Sequence, residues 1–254
     1  VSIAYRTDLH TDTIAEFRKM YQFMIQHPSS YVMIGDFTSF FDKIDHQYLK
    51  ERLCDLLQVD KLNSDYYAIF KRITMFDYCE LTDLYNINNL DYEKRKDKIA
   101  FNLRQRALSK EDYKKYRSHI KRHHGNKGIP QGSAISACLA NVYMLEIDKM
   151  INEFVVARGG IYRRYSDDFI IILPMDTSSI DDIEKIILKF GAFKDKGILK
   201  LQPEKTQVYK LQDHSVVNIG HLFTPSLNEK HKTINFIGLN FDGNAIKIRE
   251  KNYK

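Results

Sequence analysis

Residues 162 to 174 read YRRYSDDFIIILP, and this stretch narrows what the chain can fold into more than any other. Two adjacent carboxylates, Asp167 and Asp168, stand between an aromatic and basic run and a block of large apolar residues. The spacing predicts a β-hairpin: strands at 161–165 and 169–173 joined by a Ser-Asp-Asp turn. The apolar second strand then enters a core while the acids sit at its tip. Such a turn is either a plain structural turn or one edge of a site, and the second reading needs partners elsewhere in the chain.

The rest of the pattern places those partners. Residues 31–36 (YVMIGD) read as a buried strand that ends in Asp36, within YVMIGDFTSFFDKIDH. Asp45 is expected to cap a helix with Leu49, Leu53, Leu56 and Leu57 as its apolar stripe. A second helix is expected over 134–151, with Ile135, Leu139 and Val142 on one face, and a third over 179–190, ending at Gly191. The tail INFIGLNFDGNAIKI alternates around an Asp-Gly turn and reads as a hairpin. Strands and helices interleaved in this way imply an α+β fold, an antiparallel sheet with helices packed on one face.

If the end of the first strand lies beside the hairpin tip, Asp36 and Asp167 converge on one point, with Asp168 next to it. Three carboxylates that close repel one another unless cations lie between them. Mg²⁺ suits such a place, because it prefers oxygen ligands and binds through one or two carboxylates plus substrate phosphates. Two ions about 4 Å apart can activate a hydroxyl and stabilise a leaving pyrophosphate, which is the chemistry of nucleotidyl transfer. As a lone residue, Asp36 is equally an ordinary strand end.

Charge is distributed unevenly. The segment from Lys94 to Lys127 holds 13 Lys and Arg against 3 Asp and Glu, whereas the remainder holds 26 against 30, so one segment carries the whole +6 excess. It is either a solvated helix face or a surface that follows phosphates. Ser109 is expected to cap a helix there with Tyr113, Tyr116 and Ile120 on one side. Three widely spaced cysteines with no CxxC pair point to a reducing, cytoplasmic setting. No apolar run approaches the roughly 20 residues needed to cross a bilayer, and no membrane partner is expected.

Five stretches in order resemble the reverse transcriptase family. DFTSFFDKIDH is similar to its first catalytic motif, GIPQGSAISACLANVYMLEID to its PQG loop and following helix, and RRYSDDFIIIL to its catalytic hairpin. LQPEKTQV is similar to the short lysine motif, and INFIGLNF to the hydrophobic-glycine hairpin near the primer end. The LANVY and EKT phrases look most like the bacterial group II intron, retron, and abortive-infection or antiphage-defence enzymes. Two features depart from those relatives: YSDD stands where YADD is usual, and 95 residues separate Asp36 from Gln131, a wide gap filled by the basic segment.

The resemblance implies a right-hand polymerase palm with partial fingers and a basic helical insertion. Residues 1–30 would be partial fingers, 31–60 palm, 61–127 fingers or insertion, 128–233 palm and 234–254 a primer-grip-like hairpin. Relatives continue into a helical thumb, which is not expected in this chain. The implied activity is RNA-directed DNA synthesis from dNTPs on an RNA template and a nucleic-acid primer, using two Mg²⁺ ions or Mn²⁺. A non-coding RNA or an accessory defence protein would be a further partner.

Roles carry over motif by motif. Asp36 and Asp167 would bind both metals, with Asp168 assisting and the Phe37 carbonyl as a further ligand. Lys205 would lie near the pyrophosphate. Arg6, Phe41, Gln131, Gly132 and Tyr165 would meet the dNTP, with Phe41 as a steric gate under the sugar. Asn141 also matches a family position. Lys114, Lys115, Lys121, Arg122 and Gly238 would contact nucleic acid. Two alternatives stand beside this reading: an RNA-dependent RNA polymerase with an SDD hairpin, and a template-independent, protein-primed or scaffolding member.

Overall fold

A computed structural model of the chain describes residues 1–4, 13–192, 199–223 and 232–249. The chain forms two compact units, Val1–Leu62 with Lys127–Lys254, and Asn63–Asn126. The first unit opens with α1 (Thr13–Gln26), β1 (Ser30–Gly35), α2 (Phe40–Lys43) and α3 (His46–Leu57). The second holds α4 (Ser64–Thr74), β2 (Asp77–Tyr78), α5 (Leu81–Ile87), α6 (Arg95–Asn102), α7 (Lys110–Lys115) and β3 (Lys121–Arg122). The chain then returns to the first unit with α8 (Ala134–Val156), β4 (Ile161–Tyr165), β5 (Asp168–Pro174) and α9 (Ile180–Ala192). It continues with β6 (Gln207–Gln212), β7 (Ser215–Asn218), β8 (Ile234–Phe236), β9 (Leu239–Phe241) and β10 (Ile246–Ile248).

The main sheet is antiparallel in the order β4-β5-β1-β6-β7. Its central strands β1 and β5 are covered on both faces, which is why SYVMIG and DFIIILP are almost unbroken apolar runs. Val32, Ile34, Ile170, Ile172, Tyr209 and Leu211 point to one face, where they meet Phe17, Met20, Tyr21 and Met24 of α1 and Ile234, Phe236 and Phe241 of the small sheet. The alternate residues reach the other face, where α8 and α9 pack. There Phe169 lies 4.8 Å from Phe190, ring centre to ring centre, and 5.6 Å from Phe37. The expected helices on one face are therefore α8 and α9, and the opposite face is covered as well, by α1 and the β10-β9-β8 sheet. Each large side chain sealed in this core contributes roughly 1.5–3 kcal/mol.

Local signals fix the helix starts. Asp45 accepts a bond from the Tyr48 amide at the head of α3, and Ser133 does the same for Ser136 at the head of α8. The apolar stripe expected on α3 is only partly inward: Tyr48, Leu49 and Cys54 are buried, while Leu56 and Leu57 are exposed. The inward face is set by α8, where Tyr143 stacks edge-on against Tyr48 at 4.9 Å. Helix α8 runs past the expected stop at Ile151, because buried Ile147, Ile151 and Val155 continue its stripe; Ile135, placed on that stripe, is exposed. The tail forms two hairpins rather than one. Ile237 and Gly238, both at positive φ, make the two-residue turn between β8 and β9, and the Asp-Gly turn joins β9 to β10.

In the second unit Ser109 caps α7 as expected, but the helix stops at Lys115. Tyr116 leaves helical geometry, Arg117–His119 tighten into a 3₁₀ turn, and Ile120 is extended. Lys121 and Arg122 pair with Tyr78 and Asp77 as a short ribbon. Ile120 therefore does not share a helix face with Tyr113 and Tyr116. A six-residue helix is marginal in isolation, so the ladder bonds of the ribbon prevail. The basic segment is part helix and part ribbon.

Candidate active site

The strand register builds the site. Ser30 to Gly35 of β1 pair with Pro174 to Phe169 of β5, so the next step along each strand sets Asp36 opposite Asp168. On the other side Ile34 pairs with Gln207 of β6, which brings the turn before β6 to the same end of the sheet. The Asp36 carbonyl accepts from the Gln202 amide at 2.8 Å, and the amides of Lys205 and Thr206 fold back onto the Gln202 carbonyl. That tight turn aims Lys205 at Asp36, and its ammonium donates to Asp36 Oδ2. Gly35 is required here: a Cβ would lie 2.3 Å from the Phe169 ring, so any side chain would push apart the strands that carry Asp36 and Asp168.

A second set of bonds delivers the PQG loop. The Gly128 amide donates to the Ile44 carbonyl at 2.8 Å, the Ile129 amide to the Phe41 carbonyl at 3.0 Å, and His46 Nε2 to the Gly128 carbonyl at 2.7 Å. Gly128 holds a φ of +94°, and a Cβ there would press within 3.2 Å of the Asp42 carbonyl. Gln131 thereby comes to line the same cavity as Phe41.

Two cavities meet at this end of the sheet. One, of about 300 Å³, is lined by Asp36, Phe37, Phe41, Gln131, Asp167 and Lys205, among others. The other, of about 400 Å³, includes Asp36, Asp168, Lys205, Asn235, Gly238 and Arg249. Asp36 and Asp167 line the first cavity together, as expected, with Asp168 next to them at the opening of the second. Asp36 is shared, and the turn at Ser166, with its φ of 59°, leaves Asp167 in the lining of the first cavity and Asp168, the first residue of β5, in that of the second.

The electrostatics follow. Desolvation of its carboxyl, then the Asp167 and Asp36 carboxylates, push Asp168 up to about 6, with Lys205 opposing, although the residue is exposed at the head of β5, where solvent screens these charges. Burial and Asp36 raise Asp167 as well, against its own backbone amide, the Ser166 hydroxyl and Lys205. The bond to Asp36 raises Lys205, helped by the charges of Asp36, Asp168 and Asp167 and opposed by burial. Asp36 is 4% exposed, and among the described residues its buried Oδ1 has no hydrogen-bond partner.

Among the described residues no three His, Cys, Asp or Glu side chains form a ready-made metal cage. The residues present still fit a hard divalent ion. An orphaned carboxylate oxygen beside two strained carboxylates is the donor set of an ion that takes one or two carboxylates and completes its shell with substrate phosphates.

The other expected residues are placed as follows. Gly132 is exposed with a φ of +94°, and a Cβ there would meet nothing within 4 Å. Phe37 buries its ring among Phe40, Phe169 and Phe190. Tyr165 packs against the apolar cluster of α1 and the main sheet and is not among the residues that line the cavity of Gln131 and Phe41. Lys114, Lys115, Lys121 and Arg122 are all exposed in the second unit, Lys115 over the Tyr116 ring and Lys121 3.4 Å from Glu80. Arg6 lies outside the described residues. Sequence reasoning passed over Arg249, which lies outside every motif, and Gln202 and Asn235, which sit inside LQPEKTQV and INFIGLNF without being singled out; all three line the cavities. It also passed over Arg164, whose place two residues from buried Tyr162 on the same strand face was a usable signal.

Residues 5–241 match the family described as reverse transcriptase (RNA-dependent DNA polymerase). The chain belongs to the reverse transcriptase family. The family generally uses divalent metal ions. No curated protein matches the chain. Among solved structures it is similar to the apo telomerase of Candida tropicalis, with a TM-score of 0.57 at 14% identity over 100% of this chain and 37% of that one. It is also similar to the telomerase of Candida tropicalis in complex with the TWJ fragment of telomeric RNA, with a TM-score of 0.51 at 16% identity over 100% of this chain and 34% of that one. This likeness shows the fold, a reverse transcriptase palm with partial fingers. The chain spans 34–40% of the length of the telomerase chains it matches. Among the described residues no helix is long and apolar enough to cross a membrane.

Proposed function

We propose that this reverse transcriptase domain extends a primer 3′-hydroxyl with dNTPs on an RNA template by two-metal nucleotidyl transfer. One observation carries the reading: two cavities share the Asp36–Lys205 pair, with Asp167, Phe41 and Gln131 in one and Asp168, Gly238 and Arg249 in the other. A polymerase needs such a division, an incoming triphosphate on one side of the reacting carboxylates and a primer end on the other.

In the first cavity Asp36 and Asp167 would hold Mg²⁺ or Mn²⁺, with the Phe37 carbonyl as a further ligand and Phe41 under the sugar. In the second, Asp168 would complete the metal set, and Gly238 would let the primer backbone approach closely. The ions, when bound, lower the pKa of the attacking hydroxyl and stabilise the leaving pyrophosphate. Lys205, more than half exposed, can swing from Asp36 to the pyrophosphate and supply charge or a proton. The exposed basic residues of the second unit would track template or primer phosphates.

The LANVY and EKT phrases support a bacterial enzyme of the intron, retron or antiphage-defence kind, in which a non-coding RNA or an accessory protein would be a partner. The reading is tested by extending a labelled primer on a defined RNA template. A dNTP ladder that ends at the template terminus is expected. Products independent of the template, or made only from rNTPs, would overturn it.

A further inference from the structure

We propose that Arg164 is a positioning residue whose buried guanidinium holds the Ser166-Asp167 turn so that Asp167 and Asp168 aim into different cavities. Its catalytic consequence rests on the polymerase reading above; its geometric content does not.

Arg164 is 0% exposed. Its Nε and Nη2 donate to both oxygens of Asp148 on α8 at 2.7–3.1 Å, and Tyr162 donates to the same carboxylate at 2.8 Å. Two further bonds leave this pair. Nη1 donates to the Ser166 carbonyl at 2.6 Å, and Nη2 to Asn141 Oδ1 at 3.2 Å. Asn141 in turn accepts from the Ser2 hydroxyl and donates to the Ala4 carbonyl. The Arg164 backbone is clamped too, its amide on the Val1 carbonyl and its carbonyl on the Ile3 amide.

Ser166 has a φ of 59°, a left-handed conformation that a serine adopts at a cost. The guanidinium grips the carbonyl of that same residue, so relaxation of the turn would break a short charge-assisted bond in a dry interior. A buried ion pair is weak evidence for stability, since well-packed apolar residues often serve as well. What Arg164 supplies and an apolar residue cannot is a rigid fork that reaches Asp148 and Asn141 of α8 and the Ser166 turn at once. Lysine, with one ammonium, cannot make this set of bonds. Neighbouring Arg163 points the other way, to Glu16 on α1, and takes no part.

The test compares wild-type protein with R164K, which keeps the charge facing Asp148, and with R164M/D148N, which leaves no stranded charge. Melting temperature, Mn²⁺ binding by electron paramagnetic resonance, and kcat and KM for a dNTP are measured on each. Both variants are expected to fold, to bind Mn²⁺ more weakly, and to lose about 10- to 100-fold in kcat with KM within about twofold, as slight misaim of reacting groups would cause. Wild-type Mn²⁺ affinity and kcat in both variants would overturn the proposal. So would failure of both to fold, which would make Arg164 a support of the whole core. If wild-type protein incorporates no dNTP, the polymerase reading falls, and the Mn²⁺ comparison still decides the positioning role.

Discussion

The ammonium of Lys205 is bonded to Oδ2 of Asp36, while Oδ1 of that buried carboxylate has no partner among the described residues. A lysine therefore balances one oxygen of a group whose other oxygen is the one the proposed metal would take. Lys205→Met is expected to lower the stability of metal-free protein by about 1 kcal/mol, modest because the lysine is largely exposed. Added Mn²⁺ should restore most of that loss. A melting curve with and without the ion checks this, and equal destabilisation in both would contradict it.

Asp36→Asn and Asp167→Asn should each abolish nucleotide incorporation with the fold intact. Each removes a charge that would face metal in the transition state, and each relieves repulsion among the three carboxylates, so melting temperature should hold or rise. Labelled dNTP incorporation and a thermal melt on the same samples read both effects. Full activity in either variant would end the polymerase reading.

The pH dependence of metal-free protein should show the strain at Asp168. Burial and neighbouring carboxylates raise its pKa to about 6. A carboxyl raised on folding binds its proton more tightly in the native state. It therefore opposes folding increasingly as pH climbs from its unfolded pKa through about 6, and fully above that. Asp168→Asn is expected to stabilise by about 1 kcal/mol near pH 7.5 and by less near pH 4.5, allowing for solvent screening at the strand end. Melts in EDTA across that range decide it, and a pH-independent gain would contradict it.

Phe41 is 9% exposed yet lines the Asp167 cavity, so its substitution should act twice. Phe41→Val is expected to cost about 1–4 kcal/mol of stability through the space it leaves. It should also raise rNTP use relative to dNTP use by about tenfold or more, since removing a steric block readily supplies about 1.4 kcal/mol. Paired single-nucleotide titrations with a melting curve separate the effects. A cavity cost with unchanged sugar preference would leave Phe41 a packing residue only.

Neutralising Lys114, Lys115, Lys121 and Arg122 together should weaken RNA binding and flatten its salt dependence. Affinity measured at several salt concentrations gives the slope. An unchanged slope would leave those side chains as a solvated face.

Signals that act within a few residues were legible in the chain. Asp45, Ser109 and Ser133 cap helices because a short polar side chain reaches an amide three residues on. The hairpin around Ser166 follows from turn residues between an alternating and an unbroken apolar strand. The five motifs, in order, identified the family before any contact was known. Where local preference was weak, the surroundings prevailed: α7 ended early for the ribbon with β2, and the outer leucines of α3 stayed in water.

What the chain's own order of residues determined is which groups stand as candidates for the proposed chemistry: Asp36, Asp167, Asp168 and Lys205, each marked by a motif. What only the tertiary structure decided is how they share the work. Sheet order and register place Asp36 between β5 and β6, so that one carboxylate serves both cavities and Lys205 reaches it across 169 positions of sequence. Arg164 belongs to the same class. Its charge reads from sequence as a surface residue, and only the meeting of α8 with the turn after β4 supplies the acceptors that hold it in the interior. Long-range pairing of this kind leaves little trace in local pattern, because its free energy comes from partners that the neighbouring residues do not encode.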